Sequence, residues 1–322
     1  MKQIFFTQEM HGTLGYWLQC FSRPRSPVLE TLRYLPVDYP ELSQTAQQLS
    51  ESVSKRDDIV FITGRFRSGS TLLWNLFRHL PDFTAYYEPF NERQWFNALR
   101  RGQSVDVSHR GVSDSWREYE GLEVLSVHFD EMWGCRNLFM DANTYAPNMK
   151  RYIDVLIEKA AGRPVLQFNR LDFRLPWIRH HYPNAKIIHV RRNPRDQWVS
   201  TLWKNNRFLP NSPVNEFVDH FYLYGWRDDL VHHFPCLSEV YCKHPYEVFY
   251  LMWRLSEIFG KRYAHTTVNL EALTTEKDRV IEALFDVLNV QVSMPESGYA
   301  IIQDAGLGKW KAYAPSDWFN QK

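Results

Sequence analysis

Thiol chemistry has little to work with in this chain of 322 residues, which carries four cysteines, Cys20, Cys135, Cys236 and Cys242, with no CxxC pair. No histidine stands beside them at zinc-ligand spacing, so they read as core or surface thiols in a reducing compartment. An excess of either charge is also missing. The 38 Lys and Arg residues nearly balance 37 Asp and Glu, so no global field draws nucleic acid or an anionic membrane, and any anion site has to be built locally. Long apolar runs are absent too. The N-terminal patch Ile4-Phe5-Phe6 is broken by Gln8, Glu9 and His11, which predicts neither a signal peptide nor a membrane span and suggests a soluble, cytoplasmic protein. What is abundant is apolar and aromatic material. With 44% hydrophobic and 16% aromatic residues, the chain can bury a large core, in one big α/β domain or two modest ones.

Along the chain, residues 1–55 mix four prolines (Pro24, Pro27, Pro36, Pro40) with a polar helical stretch, and read as an N-terminal arm on the main domain. Residues 58–63 (DIVFIT) form a short β-branched apolar run with the look of a buried parallel strand. After the 64–69 loop, Leu72, Leu73, Leu76, Phe77 and Leu80 recur at helical spacing up to Pro81. Residues 83–87 can return as a strand beside the first one. A loop-rich stretch over 91–150, containing Trp95, Phe96, Trp116, Phe129 and Trp133 without a sustained period, suits a substrate cap. Its rings are more often core than a sugar platform. Beyond it, helix 149–161, strand 164–168, helix 175–181, strand 185–190 and helix 195–204 alternate, which predicts a parallel sheet of about five strands flanked by helices on both faces. Aromatic-rich helices over 214–234 and 245–263, a strand at 266–270 and an amphipathic helix over 276–288 complete the pattern. The whole is read as a single domain, 1–322.

Two segments carry chemistry. Gly64-Arg65-Phe66-Arg67-Ser68-Gly69-Ser70-Thr71 has the Gly-x-x-x-x-Gly frame of a phosphate loop between a strand and a helix. Glycines let backbone wrap an anion, and the helix start aims N–H groups and partial positive charge at it. The lysine that an NTP-binding loop places before Ser/Thr is missing, and the positive charge has moved to Arg67, inside the loop. An ordinary strand-to-helix turn would need neither Arg65 nor Arg67. In the second segment, Lys186 to Val190 runs into Arg191-Arg192-Asn193-Pro194-Arg195, with Ser200 eight residues after Arg192. Three arginines at a helix start are unfavourable without an anion to compensate them. An arginine at a strand's C-terminal end and a hydroxyl about two turns later can both face a dianion above the sheet.

Arg67-Ser68-Gly69-Ser70-Thr71-Leu72-Leu73 resembles the 5′-phosphosulfate loop of sulfotransferases that use 3′-phosphoadenosine-5′-phosphosulfate (PAPS). The arginine form is more similar to carbohydrate-type and bacterial members than to cytosolic ones, which carry lysine there. The second segment resembles the family's 3′-phosphate motif, here Arg192 and Ser200. Gly306-Leu307-Gly308-Lys309-Trp310-Lys311 resembles the C-terminal segment that closes over the donor, with either Lys309 or Lys311 reaching phosphate. The resemblance implies a P-loop-like α/β fold, transfer of a sulfuryl group from PAPS to a hydroxyl of a small-molecule, lipid or carbohydrate acceptor, adenosine 3′,5′-bisphosphate (PAP) as product, and no required metal. Arg65, Arg67, Ser68, Gly69, Ser70, Thr71, Arg192, Ser200, Gly308, Lys309, Trp310 and Lys311 would bind the donor. The strand that holds a basic histidine in cytosolic members reads Val165 to Arg170 here and has none. Carbohydrate-type members use a glutamate after the first helix, which selects Glu88 as general base, with Asp172 and His128 in reserve and a pairing role with Arg67 or Arg170 as the alternative. Arg170 would steady the sulfuryl oxygens, or form a surface salt bridge. Rival readings are a kinase using ATP and Mg²⁺ on the same loop, and a non-catalytic nucleotide-binding module.

Overall fold

The computed structural model describes residues 53–101, 112, 114–202, 208–302 and 306–322. The chain divides into residues 1–52 with 145–147, and a unit spanning 53–144 and 148–322 to which the following description belongs. The N-terminal arm expected over 1–55 therefore lies almost wholly outside the described residues.

Five strands make one sheet: β1 (Val60–Thr63), β2 (Phe83–Tyr87), β3 (Arg163–Phe168), β4 (Lys186–Arg191) and β5 (Thr266–Asn269). Their order is β2-β3-β1-β4-β5 and every pairing is parallel. Central β1 is buried along its whole length, as the unbroken apolar run requires when both faces are covered. Side-chain alternation shows what covers them. Thr63 and His189 are register partners on one face, where Thr63 bonds Asp172 and His189 meets Ser256 of α6 (Pro245–Tyr263). Gln167, in register with Ile62 and hence on the opposite face, donates to Ser70 of α1 (Ser70–Arg78) at 3.1 Å. Helices thus pack on both sides of a sheet whose strand order reverses between β1 and β4. The crevice above that reversal is where open α/β sheets hold ligands.

Most expected elements lie within two residues of their observed bounds: α1, α2 (Pro147–Lys159), α3 (Leu175–His181), α6 and α8 (Lys277–Leu288), the last after the short α7 (Leu270–Thr275). The helix expected over 195–204 begins as α4 (Pro194–Thr201), with Asn193 accepting from the Arg195 N–H and Pro194 at the first position. Two expectations are corrected. Strand β2 does not lie beside β1, because β3 pairs with both and separates them. The long helix expected over 214–234 is only α5 (Leu223–Leu230), after a 3-10 turn at Val214–Glu216. Asp219 accepts the backbone N–H groups of Phe221, Leu223 and Tyr224, and this side-chain capture of backbone donors starts the helix late. In the cap, three 3-10 turns replace regular structure (Arg117–Tyr119, Glu123–Val127, Glu131–Gly134). Phe96, Phe129 and Trp133 close ring-to-ring on Tyr152 of α2, so these cap aromatics are core. No helix among the described residues is long and apolar enough to cross a membrane.

Candidate active site

The loop after β1 is shaped by its glycines. A Cβ at Gly64 would stand 2.6 Å from the Val190 carbonyl of β4, and one at Gly69, where φ is 98°, would strike Leu270 at 2.6 Å. Only glycine lets the loop lie this close to its neighbours and still turn into α1. Arg67 takes a left-handed φ of 67°, a strained conformation for a long side chain that marks a constrained position. Ser68 is buried and its Oγ has no hydrogen-bond partner among the described residues. Ser70 Oγ donates to Asn169 Oδ1 at 2.8 Å, while Thr71 Oγ1 lies 3.4 Å from the Tyr87 hydroxyl.

The two basic segments, far apart in sequence, meet above the sheet. Arg67 Nε donates to Ser200 Oγ at 3.0 Å, and Arg192 Nη1 reaches the Arg67 carbonyl at 3.4 Å. Gln197 Nε2 ties α4 to the loop through the Phe66 carbonyl at 2.8 Å. Burial pulls the Arg192 pKa down, Asp196 and Glu271 oppose that, and the like charge of Arg67 lowers it further. Arg192 thus meets the backbone of Arg67, with Asp196 and Glu271 as its counter-charges. The C-terminal segment docks beside them: Asp196 accepts the N–H groups of Gly308 (2.9 Å) and Trp310 (3.2 Å), and the Arg195 guanidinium lies 4.7 Å from the centre of the Trp310 ring. Lys309 and Lys311 are exposed.

A second cluster grows from the ends of β2 and β3. Glu88, buried and in a left-handed turn with φ 38°, accepts from Asn169 Nδ2, from Asn91 Nδ2 at 2.8 Å and from Arg170 Nη1 at 3.1 Å. Asn169 thus links Glu88 to Ser70, at the first turn of α1. Arg170 is buried rather than on the surface; it also binds Glu92 at 2.6 Å and lies over the rings of Phe66 and Tyr222. The Tyr222 hydroxyl closes the chain on Glu92 at 2.8 Å, and burial together with that bond pushes its pKa up to about 12.

Not every expected residue joins these clusters. The Arg65 guanidinium contacts Met252 Sδ at 3.4 Å and Trp226 at 4.6 Å, away from Arg67 and Ser200. Asp172 is engaged on the α6 side of the sheet by Thr63 and by Ser256 at 2.7 Å. His128 follows the second 3-10 turn of the cap, its backbone N–H bonded to Leu125. Asn169, Gln167, Asp196, Glu92 and Tyr222 escaped sequence reading. Gln167 and Asn169 had a visible signal, polar residues closing an otherwise apolar strand; the others had none.

A sequence profile of the sulfotransferase family matches residues 59–293. Among solved structures, a sulfotransferase from Alicyclobacillus acidocaldarius is similar at 17% identity, over 84% of this chain and 90% of its own, with a TM-score of 0.40. A sulfotransferase from Mycobacterium avium is similar at 13% identity, over 98% of this chain and 85% of its own, with a TM-score of 0.42. No curated protein matches.

Proposed function

The chain belongs to the sulfotransferase family, and from that premise we propose that it transfers a sulfuryl group from PAPS to an acceptor hydroxyl, with Glu88 as general base. The observation that carries this reading is the meeting of Arg67 with Ser200 and Arg192 at 3.0 and 3.4 Å. One segment supplies a loop for a phosphosulfate and the other a basic pair for a separate phosphate, and a donor with anions at both ends suits both. PAPS would supply an activated sulfuryl group, whose bond to the bridging phosphate oxygen breaks as the acceptor oxygen attacks sulfur.

Each residue then has a defined task. Arg67 and the N–H groups at the start of α1 stabilise charge on the leaving phosphate. Arg192 and Ser200 hold the 3′-phosphate, and the Asp196-bound segment from Gly308 to Lys311 covers it. Glu88 would take the acceptor proton on Oε2, which also accepts from Asn91 and Arg170, while Asn169 holds Oε1 and links it to Ser70. Arg170, tethered by Glu92, would balance the sulfuryl oxygens once Glu88 is protonated. Phosphoryl transfer on the same loop is disfavoured by the family match and by the missing loop lysine.

Calorimetry with PAP and AMP tests the donor assignment. The wild type should prefer PAP, and Arg192→Ala should erase the preference while AMP affinity changes little. If both ligands lose affinity equally, Arg192 does not read the 3′-phosphate.

A further inference from the structure

Of the three described cysteines, none of them in a disulfide, two are neighbours. Cys236 is exposed and Cys242 is buried. They stand six residues apart, in the stretch that joins a 3-10 turn at Pro235–Leu237 to the His244 N-cap of α6. The chain doubles back there, because the N–H groups of Tyr241 and Cys242 both bond the Ser238 carbonyl at 3.0 Å. That reversal aims the Cys242 thiol at Cys236: its S–H donates to the Cys236 carbonyl oxygen at 3.2 Å. A carbonyl oxygen lies roughly 3 Å from the Cβ of its own residue, which leaves the Cys242 sulfur within about 6 Å of the Cys236 Cβ. The two thiols are also close enough to feel each other's charge. Burial raises the Cys242 pKa, and Glu247 and Cys236 raise it further against Arg227.

A disulfide brings its two Cβ atoms to about 3.5–4.5 Å, so the turn has to tighten slightly to form one. Little resists that movement. Val240 and Tyr241, between the two cysteines, are 76% and 70% exposed, and the ion pair that tethers the turn, Glu239 with Arg227, has its carboxylate in solvent, where such pairs contribute little. The exposures of the two thiols divide the labour. A dissolved oxidant meets Cys236 first, and Cys242, shielded from it but pointed at Cys236, is left to react with the product.

We propose that Cys236 and Cys242 are a peroxide-sensitive pair, in which Cys236 is oxidised and Cys242 closes a reversible disulfide on it just before α6. The Cys236 sulfur attacks one peroxide oxygen, the O–O bond breaks, and a sulfenic acid and one water result. The Cys242 sulfur then attacks the Cys236 sulfur; the S–S bond forms as the S–O bond breaks, and the hydroxyl leaves with the Cys242 proton as a second water. Two thiols are oxidised and one peroxide is reduced. The proposal is independent of the sulfotransfer reading. Both cysteines lie between Arg227 and Lys243, so trypsin releases them in one peptide. After hydrogen peroxide treatment of the full chain and alkylation, mass spectrometry should find that peptide unalkylated and about 2 Da lighter, and dithiothreitol should restore it. In Cys242→Ser, whose hydroxyl can still donate to the Cys236 carbonyl, Cys236 should go on to the sulfinic acid, which dithiothreitol does not reverse. In Cys236→Ser, Cys242 should stay a thiol. Sulfinic acid at Cys236 in the wild type without the lighter peptide overturns the proposal. So does a disulfide from either residue to any other cysteine, or oxidation of Cys242 in Cys236→Ser as fast as in the wild type.

Discussion

The crevice has two unlike halves. Above β1 and β4, the proposed donor half comes from two contiguous segments: glycines shape it, and Arg192 reaches the Arg67 carbonyl while Arg67 reaches Ser200. At the ends of β2 and β3, the other half pairs its charges, with Glu88 and Glu92 around Arg170 and the amides of Asn91 and Asn169 bonded to Glu88. The difference teaches how each would work. In the proposed donor half an incoming anion would add to the carboxylates Asp196 and Glu271, which already act on Arg192, and would stabilise the fold on binding. A network of ion pairs and amide bonds holds Glu88 in place before anything binds, as the proposed proton acceptor requires.

The largest effect should separate the halves most sharply. Glu88→Gln keeps shape and removes basicity, so it should lower the turnover rate ~10²–10⁴-fold with PAP affinity close to wild type in calorimetry. Normal turnover in this variant, with Asp172→Asn inactive, would move the base to the other face of the sheet. Arg67→Ala is the opposite case. Loss of one charge-assisted contact should cost roughly 1.5–3 kcal/mol of PAP binding, and unchanged affinity would remove Arg67 from the donor half.

Smaller effects sharpen the boundary. Asp196→Asn can replace at most one of the acceptor interactions that hold Gly308 and Trp310, because its amide nitrogen does not accept. It should weaken PAP a few-fold, on the order of 1 kcal/mol, and expose the C-terminal segment to limited proteolysis. The smallest effect should come through α6, which meets Arg65 by Met252 and the Arg192 carbonyl by Trp253. The N-cap of α6 is His244, whose Nδ1 accepts the Tyr246 N–H while Glu247 reaches back to the His244 N–H. Burial, aided by Lys322 and opposed by Glu247, lowers the His244 pKa from 6.5 to about 4. Its contribution to stability is therefore full above pH 6.5, where both states are neutral. Below that the unfolded chain takes up a proton that the folded one refuses, and the contribution is lost as pH falls through about 4. The melting temperature should drop across this window in the wild type and less in His244→Asn, which caps without titrating. Equal slopes would show that this cap does not control the acid response.

The meeting of the two basic segments proposed as the donor half rests on features that are local. A Gly-x-x-x-x-Gly turn between strand and helix, and an arginine at a strand end with a serine two turns on, each fix a geometry within a dozen residues. Strand and helix periods were equally local, which is why β1, α1, α3 and α6 stand close to where the pattern puts them. Glu88 was reachable by its order after α1, although the strand leading to it lies beside β3 and not β1. Its partners were not reachable, since Asn169 lies 81 residues from Glu88 and Tyr222 lies 130 residues from Glu92. No periodicity links such positions; the parallel register of β2 on β3 does. Arg65 and Arg67 differ by two positions in one loop and read alike as sequence. The left-handed turn at Arg67 and the packing of Met252 and Trp226 send the two side chains to different partners. Sequence determined that this chain carries a glycine-framed basic loop between a strand and a helix of a parallel sheet, because those features follow from short-range backbone geometry. Only the tertiary structure decided which of its buried charges are paired and which are not, because a charge is neutralised by whatever lies within a few ångströms of it, however distant in the chain.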